Sequence, residues 1–184
     1  PMVAAVAAVA RAALARLGGG VVFGGVDPTI VSSASSASMC DVFAQLGVAP
    51  FGDAGAIAAA AACTRALRAL EGLGLPVVGY KGLFLPVAED AGLAARSFDG
   101  APGFTCGRLL HACSVCAAGV DCVAVPGDAD RARVAGLFLD TAAVAWRLDK
   151  PLACRVLPMP GLDVGDEAVF DTDMFLNCRV MDLA

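Results

Sequence analysis

Cys113-x-x-Cys116 brings two thiols to one side of a turn and supplies half of a four-ligand zinc site. Cys106, His111 and Cys122 are the nearby residues able to complete a tetrahedral set. Structural zinc sites draw on two paired motifs and only one pair is present, so no metal is assigned; burial as small apolar side chains is the expectation. The pair also lacks the aromatic and proline neighbours usual for a redox dithiol. Asp121 and Asp128 flank an apolar stretch and its exit turn, Pro126-Gly127-Asp128. Ligands of α/β sheets gather at the carboxyl ends of strands, so Gly127 and Asp128 are candidate contacts, with a free helix N-terminus behind them for an anionic group. The plainer role of Asp128 is a helix N-cap. Tyr80 and Lys81 follow another apolar run, where a lysine suits a carboxylate or phosphate partner, or general-base work.

Other polar residues are weaker candidates. Ser32, Ser33, Ser35, Ser36 and Ser38 form a hydroxyl-rich loop. Ser33 and Ser36 offer donors to an anion, without the glycine pattern of a phosphate-binding loop. Glu89 and Asp90 suit the polar face of a short helix better than an acid–base pair. His111, the single histidine, reads as a hydrogen-bonded core residue, which leaves a Ser-His-Asp or Cys-His machine without support. The acidic run Asp163, Asp166, Glu167, Asp171, Asp173 reads as a solvated loop with no cation-binding pattern. The catalytic candidates are therefore Lys81, Asp121, Asp128 and Cys116, with Ser33, Ser36, Gly127 and Arg155 as ligand contacts.

These residues must be held by alternating helices and strands. Helices are expected over 2–17, stopped by Gly18-Gly19-Gly20, then over 39–46, 54–72, 86–96, 104–116 and from Asp128 to Leu148. Strands are expected over 21–26, 75–80, 120–125 and 152–157, with one more over 175–181. Short continuous apolar strands between helices of 10–20 residues point to a mainly parallel sheet with both faces covered. No fixed-period repeat or linker divides the chain, so residues 1–184 read as one α/β domain or part of one.

Composition narrows the function. A net charge of −5 leaves no basic stripe for a phosphate backbone, which argues against nucleic acid. The hydrophobic share is 58%, yet every apolar run is broken by charge before the roughly 20 residues of a spanning helix. That apolar material implies a core buried on most sides, or an extra face buried against another subunit. Eight cysteines in a chain with ample apolar material for a core fit a reducing, intracellular compartment better than a disulfide framework. Basic residues follow the first apolar run instead of preceding it, so the start does not read as a signal peptide. A chain beginning at Pro1 is expected to be a fragment or a processed product.

Several stretches carry a family resemblance. Val78-Gly79-Tyr80-Lys81-Gly82-Leu83, with Leu85-Pro86-Val87 and Glu89-Asp90, forms the first. Cys116-Ala117-Ala118-Gly119-Val120-Asp121 leading to Val125-Pro126-Gly127-Asp128 forms the second. Leu148-Asp149-Lys150-Pro151-Leu152 through Arg155, Pro158, Pro160-Gly161 and Gly165-Asp166 forms the third. Together they resemble the C-terminal part of the domain of unknown function 711 family, also uncharacterised protein family 0210. Lys81 stands where the family has Ser, and Ala117-Ala118 where it has Gly-Thr. The resemblance implies part of an α/β barrel of the kind related to glycyl radical enzymes. Arg179-Val180-Met181-Asp182 lacks the radical glycine itself. It also implies that a second chain or an N-terminal half completes the fold. It brings no reaction and no cofactor, so the cofactor is unknown. Two functional expectations follow: a small-molecule, anionic-ligand site at strand ends, or a catalytically inert subunit of a larger assembly.

Overall fold

The computed structural model describes residues 2–17, 19–73, 76–99, 104–116 and 118–184. Gly18 of the expected helix stop, Leu75 of the expected second strand and Ala117 of the family segment lie outside them.

Among the described residues six α-helices are present: α1 (Met2–Leu17), α2 (Met39–Gln45), α3 (Ala56–Arg68), α4 (Ala91–Ser97), α5 (Cys106–Cys113) and α6 (Arg131–Leu148). A 3₁₀ turn, Ala69–Leu73, continues α3. The strands are β1 (Gly119–Pro126), β2 (Ala153–Met159), β3 (Glu167–Ala168) and β4 (Cys178–Arg179). Helix starts follow capping chemistry. Ser38, Asp90, Thr105 and Asp130 each accept an amide from the first turn behind them. The α6 cap is thus Asp130, and Asp128 lies exposed in the preceding turn. Likewise α4 begins at Ala91 and not at Pro86, because Asp90 caps it.

β1 and β2 pair in parallel, from Gly119 opposite Ala153 to Pro126 opposite Met159. Gly119 adopts φ +99°, and a Cβ there would collide with the Ala153 carbonyl, so only glycine fits at this close approach. Two extended segments continue the parallel order by isolated bridges. Val26 pairs with Val77, Ile30 with Leu83, and Pro86 with Asp121. The succession is 26–30, 77–86, β1, β2, each beside the next in chain order. The expected strand over 21–26 is reduced to its last residue. Gly25 at φ +140° breaks the run, and it admits the Pro76 carbonyl where a side chain would clash. The strand expected over 175–181 is only β4, antiparallel to β3. Among the described residues the sheet does not close into a barrel. The α/β class with a parallel sheet stands.

The core lies where α2–α5 meet β1. Phe43, Phe51, Leu83, Leu85, Leu93, Leu109, Val120 and Val123 are all buried there. α6 covers one face of the β1–β2 pair, with Leu137 and Thr141 buried against it. The C-terminal segment crosses that pair: Met181 donates to Ala124 and Leu176 to Ala88.

Candidate functional site

β1 does not run evenly. Its register slips between Val120 and Val123, and Cys122 sits at φ +46°, a left-handed conformation rare for a residue with a side chain. Such a bulge turns two consecutive side chains towards one side of the sheet. Asp121 and Cys122 accordingly reach the same cluster. Arg155 of β2 donates through Nε and Nη2 to the two oxygens of Asp121, the Nη2 bond being 3.0 Å. The same Nη2 reaches Glu89 Oε1 at 3.3 Å, and the Cys122 thiol donates to that oxygen at 3.0 Å. Cys154, next to Arg155, faces Thr141 of α6. Arg155 therefore projects from the sheet face that α6 leaves open.

Asp121 is fully buried while the Arg155 side chain is 51% exposed. A carboxylate that deep is tolerable only with its charge paired, and the two-point guanidinium contact supplies the pairing. Arg155 in turn has its pKa raised by hydrogen bonding to Asp121. Burial pushes the Cys122 thiol up, and the neighbouring Glu89 and Asp121 add to it, so Cys122 remains a protonated donor. Of the five guanidinium donors, one on Nε and two on Nη2 serve these carboxylates. The two Nη1 donors are not used by these carboxylates, and the Arg155 side chain is half exposed.

Of the sequence candidates, Asp121 and Arg155 meet in this cluster. They sit three residues into their strands, not at the carboxyl ends. Lys81, at φ 54°, is spent on Glu71 at 2.5 Å. Asp128 is exposed. Gly127 donates its amide to Met159 and packs on the Pro160 backbone, so it is a strand-end lock. Ser33 and Ser36 bond each other, Ser36 Oγ accepting from the Ser33 amide at 2.7 Å and donating to its carbonyl at 3.1 Å. Cys116 is buried in the α5–β1 turn beside Cys113. Glu89 and Cys122 are the participants that sequence reasoning missed. Glu89 was assigned to a helix face, and nothing in the residue types announces the bulge that turns Cys122. Asp90, its supposed companion, is a buried cap and belongs to no acid–base pair. No cluster of three or more metal-ligating side chains occurs among the described residues. None of their helices is long and apolar enough to cross a membrane.

Comparison with known proteins adds kinship. The sequence profile of the family described as "Uncharacterised ACR (DUF711)" matches residues 2–171. A UPF0210 protein of Limosilactobacillus reuteri (strain DSM 20016) is 34% identical over 153 residues, 82% of this chain and 34% of that one. One from Pyrobaculum arsenaticum is 35% identical over 149 residues, 80% of this chain and 33% of its own length. One from Pyrobaculum islandicum is 34% identical over 167 residues, covering 89% and 36% respectively. The chain thus spans about a third of the length of the curated relatives it matches. No solved structure matches.

Proposed function

This chain belongs to the DUF711 family, and from that premise we propose that Arg155 is the anchor of a small-molecule site for a carboxylate- or phosphate-bearing ligand. One observation carries the reading: a guanidinium held on two sides by Asp121 and Glu89 while its side chain stays half exposed. Its orientation is set before any ligand arrives, which lowers the ordering cost of binding. Asp121 and Glu89 act as positioning residues, and the thiol of Cys122 keeps Glu89 turned towards Arg155.

The same face supports a larger architecture. We read the four parallel segments in chain order as an arc of an α/β barrel whose remainder comes from protein outside these residues. The chain's one-third share of its relatives supports this completion. Eight free cysteines support a reducing compartment.

The test is thermal shift with succinate or inorganic phosphate against sodium chloride of matched ionic strength. The anion should raise the melting temperature of the wild type. The rise should vanish in Arg155→Met and persist in Asp128→Asn, whose carboxylate is remote from the cluster. An equal rise in wild type and Arg155→Met removes Arg155 as the anchor.

A further inference from the structure

The Cys113–Cys116 pair is left unused by the Arg155 site. Cys113 ends α5, and the helical turn continues past it, since Ser114 donates to Leu110 at 3.0 Å and Cys116 to Ala112 at 3.3 Å. Residues three apart on such a turn share a face, with Cβ atoms on the order of 5–6 Å apart. A disulfide needs that separation to close to about 4 Å, a small adjustment at a helix end. Both thiols are fully buried, yet their surroundings are not purely apolar. The Cys113 thiol donates to the Gly119 carbonyl at 2.7 Å, and the Lys150 ammonium approaches the Cys113 carbonyl at 3.2 Å. Backbone amides of Ala118 and Gly119 face Cys116.

We propose that Cys113 and Cys116 form a redox-active dithiol that is oxidised by hydrogen peroxide and closes as an intrachain disulfide. Cys116 is the attacking sulfur. The Cys113 thiol has one proton, which serves an ionised Cys116 in place of the Gly119 carbonyl; that bond, the two amides and Lys150 together outweigh burial and bring the Cys116 pKa below the ordinary thiol value of 9.0. Cys113 is held above that value, chiefly by sharing its proton with Cys116. The titratable and charged groups around the pair are each other, Lys150, and Arg68 at the end of α3. In the first step the Cys116 thiolate takes one peroxide oxygen. The O–O bond breaks, and the sulfur becomes a sulfenic acid as hydroxide leaves and is protonated to water. In the second step the Cys113 sulfur gives up its proton and attacks Cys116, forming S–S and expelling the sulfenic oxygen as a second water. Two thiols are oxidised and one peroxide is reduced to two waters. Closure removes the Cys113 bond to Gly119, two residues ahead of Asp121, so the redox state of the pair bears on the strand that holds the Arg155 cluster.

The experiment treats the reduced protein with hydrogen peroxide, then quenches, unfolds, alkylates and maps tryptic peptide 109–131. That peptide carries Cys113, Cys116 and Cys122. It should pass from three alkyl tags to one, on Cys122, with loss of two hydrogens. Cys40, pushed up to about 11 by burial, marks the slow reference. Cys116, the more ionised thiol, should be oxidised before Cys40. The rate should level off below pH 9. Cys113→Ser should leave a Cys116 sulfenic acid that dimedone traps, and Cys116→Ser should keep both remaining tags. The proposal is overturned if the wild-type peptide retains three tags at doses that have oxidised Cys40, or if the bond forms to Cys122. The wild-type map decides even where a variant does not fold.

Discussion

Arg155 and Asp121 divide one interaction unequally. Asp121 has no water to fall back on, whereas half of Arg155 does. Arg155→Met should therefore leave a buried carboxylate without its counter-charge and cost about 3 kcal/mol, at the low end for a broken buried pair because the arginine is half solvated. Adding Asp121→Asn should restore much of the loss, since removing both charges relieves the unpaired one. Urea midpoints of the two single variants and the double variant close the cycle. Additive losses would mean that the two residues do not share an interaction. At this scale the sequence was readable in its types but not in its partners. Asp121 and Arg155 stood out as polar residues in apolar runs, while their meeting depends on the β1–β2 register. Lys81 stood out equally, and its pairing with Glu71 comes from a left-handed turn that no residue type announces.

Asp90 shows how an element depends on a single carboxylate. It accepts from Leu93 at 2.9 Å at the head of α4, and from Met39 at 2.8 Å and Ser38 Oγ at 2.5 Å at the head of α2. One buried side chain thus caps two helix starts 52 residues apart, at Met39 and Ala91. Asp90→Ala should cost about 3 kcal/mol, more than an ordinary cap, because buried donors on both helices lose their acceptor. Hydrogen exchange should show amides of both α2 and α4 opening in this variant. Faster exchange confined to α4 would show that the cross-chain bonds contribute nothing. The apolar runs of β1, β2 and α6 and the alanine-rich α1 and α3 were legible because burial and helix propensity act locally. The strand expected over 21–26 was not, since its hydropathy suits a strand while Gly25 supplies a backbone turn. Helix starts were misplaced wherever an alternative acid lay close by, as with Asp128 and Asp130.

Over the whole molecule, apolar surface remains uncovered. α6 exposes Leu139 and Trp146, the latter at 90%, and α1 exposes Val6, Val9 and Leu17. A chain with so much apolar material outside its core fits the interior of something larger. The native mass of the protein purified from its source should exceed that of one 18.4 kDa chain, with the additional mass belonging to family-type sequence in the same or a second polypeptide. A lone, monodisperse 18.4 kDa species would end the barrel-completion reading. The family segments resemble only the C-terminal part of the family, and the sheet's open side could not be read from them. That open side is β2. Its backbone groups are paired with β1 along one edge, and among the described residues no strand occupies the other. An unpaired strand edge is a template that recruits any extended segment it meets, which is the first step of aggregation. Pro158 withholds one donor from that edge and Arg155 sets a charge beside it, two features that discourage promiscuous growth. The same strand that positions the guanidinium therefore also guards the chain against itself.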